Sequence, residues 1–196
     1  MTTIEQDITV SPRMLDDLKL RATTQNLVDI AYTTADTPVG RLLLAATQGG
    51  LVRVAFLHSE DGDAVLSELA TKVSPRVLES PARLRDVLRQ LDDYFGRGLQ
   101  RFDIPIDWSL SGPFARRVLR RTARIPYGKV STYSDIAHQV GAERAARAVG
   151  NALAGNPIAV IVPCHRVVRR GGALGGYGGG LDRKQWLLTL EGAIES

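Results

Sequence analysis

The spacing of apolar residues changes once, near the middle of the chain, and this change constrains the fold more than any other feature. Before it, short apolar runs at residues 27–32, 41–46 and 51–56 are separated by turn-forming residues, which is typical of an antiparallel sheet. After it, apolar positions mostly follow the three- and four-residue spacing of helices. We therefore predict an α+β fold, with a small N-terminal α+β domain over residues 27–107 and a mostly helical C-terminal domain over residues 108–196.

Further segments complete the N-terminal prediction. Residues 62–72 have helical spacing, and a second helix is predicted to begin near Pro81. Residues 104–106 contain a central proline, so we expect an edge strand or an extended linker there. Residues 1–26 are predicted to form an N-terminal extension, in which the pattern around Met14 favours a short surface helix or a partly disordered arm.

Charge divides the chain at the same place. Residues 108–196 carry 13 Lys and Arg against 5 Asp and Glu, for a net charge of +8, and the preceding residues carry 12 against 16, for −4. A basic half beside an acidic half indicates a polyanionic partner. Arginines at positions 116, 120 and 124 form a stripe on a helix predicted from Pro113. Either a solvated face or phosphate contact would explain this stripe.

The sequence also indicates the compartment. The apolar run at residues 158–162 spans five residues and no run is longer, which is far below the ~20 residues needed to cross a bilayer. Glu5 and Asp7 stand where a secretory signal would carry basic and then apolar residues. We therefore expect a cytoplasmic protein without a membrane partner.

A helix-turn-helix pattern opens the middle of the C-terminal half. Thr132 and Asp135 form a capping box that begins one helix, Gly141 ends it, and a second helix is predicted over residues 143–154. A helix that reads bases in the major groove would carry several long polar side chains. Here small residues surround Arg147, so the backbone can approach DNA closely while one side chain projects. This composition predicts a helix that reads DNA shape with a single probing arginine.

The single cysteine, Cys164, excludes an internal disulfide, a CxxC redox pair and a cysteine-rich zinc site. It follows the β-branched run at residues 158–162, which predicts a buried strand that ends beside it. Arg169 and Arg170 make the surroundings electropositive and favour the nucleophilic thiolate. His165 is adjacent, but neighbouring strand residues point to opposite faces, so a contact with Cys164 needs a bend or a bridging water. The alternative is a small buried apolar residue.

Two features follow the cysteine. Residues 171–180 are rich in glycine with Tyr177 among them, which fits either a flexible linker or a pocket wall close to a planar ligand. The last helix, predicted over residues 182–191, ends at Glu191, where the helix dipole favours a cation. A carboxylate at that end needs a partner, and we predict that His165 is this partner.

The segment Pro163-Cys164-His165-Arg166-Val167, with Gly155-Asn156-Pro157 before it and a Gly-Tyr-Gly-Gly-Gly-Leu segment after it, resembles the O6-alkylguanine-DNA alkyltransferases. The likeness is strongest over residues 111–192 and looser over the N-terminal half. It implies a ribonuclease-H-like N-terminal domain and a winged-helix-like C-terminal domain that binds double-stranded DNA in the minor groove. O6-alkylguanine, with O4-alkylthymine as a further candidate, would be flipped out of the duplex, and its alkyl group would pass irreversibly to Cys164.

The resemblance also implies roles for individual residues. Cys164 is the alkyl acceptor, His165 deprotonates it through a water, and Glu191 orients His165. Asn156 supports the active-site turn, and Arg147 fills the space that the flipped base leaves. The residues implied in DNA binding are Tyr133, Ser134, Ala146, Arg147 and Arg170. The residues implied in the base pocket are Tyr133, Val167, Tyr177 and Gly178, and the amide of Gly178 bonds the guanine O6.

The resemblance further implies a methylated-DNA–protein-cysteine S-methyltransferase that uses no cofactor and no metal. Water does not readily cleave the thioether product, so each molecule would act once. We expect a monomer in solution, and cooperative binding along DNA stays open. Some relatives carry Ser at the position of Gly178, which here offers its amide but no hydroxyl.

Three other functions compete with this hypothesis. The main one is a non-catalytic sensor of alkylated DNA, although such relatives replace the cysteine that is present here. The others are a cysteine hydrolase that uses Cys164 and His165, and a helix-turn-helix transcription factor. A hydrolase needs an oxyanion hole and repeated turnover. A transcription factor needs a recognition helix that discriminates operator sequences, for which this alanine-rich helix is poorly equipped.

Overall fold

The computed structural model describes residues 27–57 and 61–195, together with Ser11, Arg13, Met14, Asp17, Arg21 and Gln25. Of the described residues of the extension, Arg13, Met14, Asp17 and Arg21 are helical, and Asp17 and Arg21 form an ion pair of 2.8 Å. The rest of the helix predicted there, including Leu15, Leu18 and Leu20, lies outside the described residues.

The N-terminal half contains a four-stranded sheet. Strands β1 (Ile30–Ala35), β2 (Leu42–Thr47) and β3 (Gly50–Phe56) are antiparallel neighbours, which confirms the predicted meander. A fourth strand, β4 (Val77–Glu79), pairs in parallel with β1 and has no counterpart in the prediction, because three residues are too few to show strand alternation. The order across the sheet is β3-β2-β1-β4, so β3 lies at the edge. A segment that contains Pro105 runs beside this edge, as predicted.

Helices cover both faces of the sheet. Helix α1 (Gly62–Lys72) packs its buried Val65 and Leu69 against one face. Helix α2 (Arg85–Phe95) covers the other face and is preceded by a 3₁₀ turn (Pro81–Leu84), so the helix predicted near Pro81 begins with this turn.

The C-terminal half is mostly helical, as predicted. Its helices are α3 (Pro113–Thr122), α4 (Tyr133–Gln139), α5 (Ala146–Ala154) and α6 (Leu181–Leu190). Two short strands, β5 (Ser131–Thr132) and β6 (Val167–Val168), pair in parallel beside the α4–α5 unit.

Helix α5 begins three residues later than predicted. Gly141 has a φ of +70°, and the amide of Ala145 donates to the carbonyl of Ala142, so residues 141–145 form turns. No side chain caps the first turn of α5, and Ala146 is its first residue. Residues 143–145, which were predicted to be helical, therefore belong to the turn.

A single apolar core joins the two halves. Val54 and Phe56 of β3 and Leu91 of α2 belong to the same buried cluster as Leu119 of α3 and Leu187 of α6. The segment that carries Cys164 lies inside this cluster. No helix in the described part of the chain is long and apolar enough to span a membrane.

Candidate active site

The segment before the cysteine is a tight turn, so the strand predicted over residues 158–162 is wrong. Ile158 makes one isolated bridge to Val54 of β3, and the chain then turns back so that the amide of Val162 donates to the carbonyl of Ile158. Val160 has a φ of +71°, a left-handed conformation that β-branched residues rarely adopt. The apolar, β-branched side chains of this run are buried, as predicted, but hydrogen bonds within the turn hold its backbone in place of a strand partner.

Asn156 holds this turn together. Its side-chain oxygen accepts a hydrogen bond from the amide of Ile158 at 3.0 Å. Its side-chain nitrogen donates to the carbonyl of Val162 at 2.9 Å and to Sγ of Cys164 at 3.1 Å. One buried amide therefore satisfies backbone groups that a strand partner would otherwise bind, and it also contacts the sulfur.

The turn sets the directions of Cys164 and His165. Residues Cys164–Arg166 form a 3₁₀ helix, in which successive side chains are about 120° apart and do not alternate between two faces. Cys164 consequently lies against two cavities, whereas His165 points into the protein and is fully buried. The chain therefore bends at this point, but no direct hydrogen bond joins the side chains of Cys164 and His165.

A buried hydrogen-bond cluster surrounds Glu191, the residue that follows α6. His165 Nε2 lies 2.9 Å from Oε1 of Glu191, which confirms the predicted pair. Arg166 donates from Nε to Oε2 at 2.8 Å and from a terminal nitrogen to Oε1 at 2.9 Å. The same guanidinium donates to the carbonyl of Ile125. Tyr94 of α2 donates its hydroxyl to Oε1 at 2.6 Å, so Oε1 has three hydrogen-bond partners and Oε2 has one.

These contacts determine the charge states of the cluster. Burial would raise the pKa of Glu191, but the hydrogen bonds from His165 and Arg166 outweigh it and lower the pKa to about 2. Burial lowers the pKa of His165 despite the neighbouring carboxylate. The imidazole is therefore neutral at neutral pH and donates its Nε2 proton to Glu191. Its Nδ1 then carries a free lone pair, and this buried atom has no hydrogen-bond partner among the described residues.

Burial also raises the pKa of Cys164, although the hydrogen bond from Asn156 and the charge of Lys184 act in the opposite direction. The thiol therefore needs a base to become a nucleophile at neutral pH. The bare Nδ1 of His165 is suited to that task.

Lys184 is a buried cation that the sequence analysis did not single out. Its Nζ donates to the carbonyl of Val167 at 2.6 Å and to that of Gly176 at 3.3 Å. Burial lowers its pKa to about 8. Lys184 therefore ties the glycine-rich segment to β6 beside the cysteine. It follows Asp182 and Arg183 in the first turns of α6, and this charged context gave no signal of burial.

Cys164 lines two cavities, which we name the outer and the inner cavity. The outer cavity, of about 450 Å³, lies between α5 and the glycine-rich segment. Its walls include Tyr133, Ala146, Arg147, Arg169, Tyr177 and Gly178. The inner cavity, of about 360 Å³, lies between the edge of the sheet and the cysteine. Its walls include Arg53, Val54, Phe56, Glu68, Asn156 and Ala159, and it shares Tyr177 and Gly178 with the outer cavity.

Two glycines allow the glycine-rich segment to form these walls. A Cβ at Gly175, whose φ is +70°, would lie 2.8 Å from the hydroxyl of Tyr133. A Cβ at Gly179 would lie 2.7 Å from the ring of Phe56. Gly175 and Gly179 therefore pack closely against two aromatic side chains, which supports the pocket-wall interpretation for this part of the segment.

The structure brings together most of the predicted site residues. Tyr133, Ala146, Arg147, Tyr177 and Gly178 line the outer cavity with Cys164. Ser134 and Arg170 are exposed and do not line it, and Val167 is buried in the core at β6. The predicted capping box is present, because Thr132 accepts from the amide of Asp135 and Asp135 accepts from the amide of Thr132. Arg147 is exposed at the rim of the cavity, where it is free to project.

The arginines of α3 contribute partly to structure. Arg116 donates to the carbonyls of Trp108 and Ser111, and Arg120 lies over the Trp108 ring. These contacts explain part of the stripe without phosphate binding. Among the described residues, no group of three or more His, Cys, Asp and Glu side chains is placed to hold a metal ion.

Two family models cover most of the chain. The DNA-binding domain of 6-O-methylguanine DNA methyltransferase matches residues 113–193, and the ribonuclease-like domain of the same family matches residues 30–108. A methylated-DNA–protein-cysteine methyltransferase of Mycolicibacterium paratuberculosis is 44% identical over 162 residues, which cover 83% of this chain and 92% of the relative. A constitutive enzyme of the same name from Bacillus subtilis is 37% identical over 161 residues, with 82% and 94% covered.

Solved structures agree with these matches. The crystal structure of a Mycobacterium tuberculosis O6-methylguanine methyltransferase superposes with a TM-score of 0.72 at 39% identity, covering 84% of this chain and 93% of that chain. The Mycobacterium tuberculosis OGT in complex with DNA gives a TM-score of 0.70 at 40% identity, with 83% and 93% covered. The identity and coverage of these relatives show that the chain belongs to the 6-O-methylguanine DNA methyltransferase family.

Proposed function

We propose that this protein repairs O6-alkylguanine in double-stranded DNA by moving the alkyl group to its own Cys164, once per molecule. The observation that carries the proposal is the position of Cys164. Cys164 lines a cavity together with Tyr133, Ala146 and Arg147 of the helix-turn-helix, and the next residue, His165, pairs with the buried Glu191. We assign DNA binding and alkyl acceptance to residues 108–196. Specificity for O6-alkylguanine and binding in the minor groove are part of the same proposal.

The target base enters from the DNA side. An alkyl group on O6 of a stacked guanine is out of reach of a buried thiol, so the nucleotide must leave the stack, at a cost of a few kcal/mol. Helix α5 approaches the minor groove, and Arg147 occupies the vacated space in the stack. The base lies in the outer cavity against Tyr177, with the amide of Gly178 toward its O6. Tyr133 helps to rotate the nucleotide and donates to the ring.

The reaction is a displacement at an sp³ carbon. His165 Nδ1 accepts the thiol proton through a water, and the sulfur electron pair forms a bond to the alkyl carbon. The C–O6 bond breaks with its electron pair on the guanine, whose negative charge the donors of the cavity stabilise. Proton uptake by the ring gives ordinary guanine. The products are guanine and an S-alkyl thioether, and the net proton moves from the thiol to the base.

We further assign the protein to the cytoplasm as a monomer that binds DNA through its basic C-terminal half. The excess of Lys and Arg in residues 108–196 supports the DNA-binding part of this assignment. Arg170 and Ser134 are exposed near the helix-turn-helix and are assigned to the DNA backbone.

Mass analysis tests the function. The reduced protein is mixed with a duplex that contains one O6-methylguanine, and its intact mass and peptide masses are measured. We expect one methyl group on the Cys164 peptide, saturating at one per protein, and none on Cys164→Ser. Tight lesion binding by folded wild-type protein without a mass change would establish the sensor instead. Repeated turnover would contradict the single-use reaction.

A second experiment tests the role of Arg147. Arg147→Ala should slow repair of duplex substrate more than reaction with a free alkylated base, because only the duplex requires a base to be extruded. Arg144→Ala is the matched control, since Arg144 is exposed just before α5. Equal losses of Arg147→Ala on both substrates would refute its insertion into the stack.

A further inference from the structure

We propose that Arg183, in the first turn of α6, positions the backbone amide of Gly178 by tying the glycine-rich segment to the turn between β1 and β2. We name this turn, residues 36–41, the β1–β2 turn. The proposal rests on the proposed function, because it assumes that a base lies in the outer cavity with its O6 toward that amide. Arg183 itself lines neither the outer nor the inner cavity, so it is a positioning residue that acts through Gly178.

The guanidinium of Arg183 contacts three separate parts of the chain. Its Nε donates to the carbonyl of Val39 in the β1–β2 turn, and a terminal nitrogen donates to the carbonyl of Gly179 at 2.6 Å. Its central carbon lies 5.1 Å from the centre of the Phe56 ring at the end of β3, which is within the range of a cation–π interaction. Arg183 therefore joins the edge of the sheet and the β1–β2 turn to the glycine-rich segment.

Gly178 lies between two backbone carbonyls that cationic side chains hold. Lys184 binds the carbonyl of Gly176 at 3.3 Å on one side, and Arg183 binds the carbonyl of Gly179 on the other. The amide of Gly180 donates to the carbonyl of Tyr177 at 3.0 Å and closes a turn around Gly178. Gly178 has no side chain whose packing could fix its amide. Loss of the Arg183 contact would therefore release the backbone directly after this amide.

The β1–β2 turn is itself fixed by hydrogen bonds. The amide of Gly40 donates to the carbonyl of Thr37 at 2.9 Å, and the Thr37 hydroxyl donates to the carbonyl of Gly40 at 2.6 Å. Val39 is buried, and a Cβ at Gly40 would lie 3.2 Å from a terminal nitrogen of Arg183, so the guanidinium packs directly on this turn. The position of the turn is thereby transmitted through Arg183 to Gly179.

The position of the Gly178 amide affects the leaving group and not the thiol. As the C–O6 bond breaks, negative charge develops on the guanine, and a donor stabilises it best at about 2.7–3.1 Å from the oxygen. The thiol is activated by His165 and Glu191, and the contacts of Arg183 with Val39, Gly179 and Phe56 lie outside that cluster. A displaced amide should therefore slow the departure of guanine and leave the thiol reactive.

Two methyl donors with different leaving groups separate these effects. O6-methylguanine, in a duplex or as the free base, expels guanine, whereas iodomethane expels iodide, which needs no donor from Gly178. With iodomethane, the bond from Sγ of Cys164 to carbon forms as the C–I bond breaks with its electron pair on iodide, and the thiol proton passes through His165 to the solvent. Single-turnover rates for each donor are measured from the mass of the Cys164 peptide.

Arg183→Met removes the donors of the guanidinium and keeps a long side chain. We expect methyl transfer from the duplex and from the free base to fall at least about tenfold, because a misplacement of about 1 Å in an active site can cost about 100-fold in rate. The rate with iodomethane should stay within about twofold of the wild type, since no part of the thiol activation is changed. Arg183→Lys keeps the charge and can reach one carbonyl, so its rates should lie between those of the wild type and Arg183→Met.

Two further variants accompany this test. Arg41→Met is the matched control, because the exposed Arg41 belongs to the same turn but donates to Thr34 and not to the glycine-rich segment, and it should change no rate. Thr37→Val removes a hydrogen bond of the turn and keeps Arg183. It should lower the rates with O6-methylguanine less than Arg183→Met does and spare the rate with iodomethane, which tests the proposal even where Arg183→Met fails to fold.

Three results would overturn the proposal. Equal losses with O6-methylguanine and iodomethane in folded Arg183→Met would mean that the variant disturbs the thiol itself. Unaltered rates with both donors would mean that the Gly178 amide does not depend on Arg183. A loss confined to the duplex would assign Arg183 to DNA binding. A wild type that reacts with iodomethane but with neither form of O6-methylguanine would refute the proposed function instead.

Discussion

The turn at Cys164–Arg166 separates two buried environments that differ in how well their polar atoms are satisfied. On the side of Glu191, one carboxylate oxygen accepts from Tyr94, His165 and Arg166, and the other accepts from Arg166. On the side of Cys164, the sulfur accepts one hydrogen bond from Asn156 and borders two cavities. The Tyr177 hydroxyl, on a residue that lines both cavities, and His165 Nδ1 are buried without partners among the described residues.

The difference shows how a small protein can hold a reactive group without collapsing around it. Fully satisfied networks of charged groups are rigid, and the Glu191 cluster fixes the direction of the imidazole from behind. The unsatisfied atoms on the other side have unused hydrogen-bonding capacity, which a thiol proton, a water or a substrate can take up. Stability therefore depends mainly on one side of the turn, and reactivity depends on the other.

The largest expected effect comes from removing the charge of Glu191. Glu191→Gln keeps the shape of the side chain but leaves the buried Arg166 guanidinium without its carboxylate. Breaking a buried ion pair by removing one partner costs about 3–5 kcal/mol, so unfolding by urea should shift accordingly. The alkyl-transfer rate should also fall, because a neutral amide polarises His165 less than a carboxylate does and can also turn its NH2 donor toward the imidazole.

A double variant separates the two effects. Glu191→Gln with Arg166→Met removes both charges and should regain much of the lost free energy of unfolding, since no unpaired charge stays buried. Its transfer rate should remain low. Recovery of the rate together with the stability would mean that the cluster serves folding alone, and the contrast between the two sides would then be wrong.

The sequence indicated one partner of Glu191 but not the others. A carboxylate at a helix C-terminus requires a cation or donor, and this local rule pointed to His165. Tyr94 lies 97 residues away on a helix of the other half, so only the tertiary fold brings it to Glu191. Arg166 adjoins two site residues in sequence, but its charge would ordinarily predict exposure. Such pairings depend on packing, which a single sequence does not encode in a local pattern.

The wrong strand at residues 158–162 has a related cause. Propensity favoured a strand because the run is β-branched and apolar, and burial of the run is correct. A strand also needs a neighbour along its length, and β3 offers this run one bridge, between Val54 and Ile158. The side chain of Asn156 binds the amide of Ile158 and the carbonyl of Val162, and hydrogen bonds within the turn bind further backbone groups. Here the side-chain hydrogen bonds outweighed the backbone preference.

Acid should destabilise the protein through the Glu191 side. The pKa of Glu191 is lowered from 4.5 to about 2, so its folded form binds a proton less readily than its unfolded form. This contribution, about 3 kcal/mol, is present above pH ~5 and is lost as the pH falls toward 2. The lowered pKa of His165 acts in the same direction below its unfolded value, near pH 6.5.

Urea unfolding at a series of pH values measures this dependence. The wild type should lose stability more steeply between pH 5 and 2 than Glu191→Gln, which lacks the titrating group. Parallel curves for the two proteins would show that other carboxylates govern acid unfolding. The comparison between the two sides of the turn would then lose its energetic basis.

A change at Asn156 should affect the rate through the charge that it places beside Cys164. Asn156→Asp retains an oxygen for the amide of Ile158 but replaces the donor beside Cys164 with a negative charge. The thiol pKa should rise, and the rate of reaction with a free alkylated base at neutral pH should fall by about 30-fold, or about 2 kcal/mol. The pH of half-maximal rate should move upward. Asn156→Ala, which adds no charge, should lose less rate although it loosens the turn, and a larger loss in Asn156→Ala would show that turn geometry governs the rate.

The smallest expected effect tests whether the N-terminal half takes part in the reaction. Tyr94→Phe removes the hydroxyl that donates to Glu191 but keeps the ring that packs against Phe102 and Tyr127. Arg166 and His165 still hold the carboxylate, so the free energy of unfolding should fall by only about 1 kcal/mol, the net value of one hydrogen bond. Transfer of methyl from a duplex should stay within about threefold of the wild type.

Tyr127→Phe is the matched control for that variant, because its hydroxyl donates to the carbonyl of Leu190 and does not touch the carboxylate. Both variants lose one hydroxyl in the same aromatic group, so a difference between their rates isolates the contact with Glu191. A rate loss in Tyr94→Phe as large as that of Glu191→Gln would mean that a side chain of the sheet half sets the basicity of His165. In that case both halves of the protein would contribute to the reaction, and Tyr94 would belong to the reactive site and not only to the stabilising Glu191 cluster.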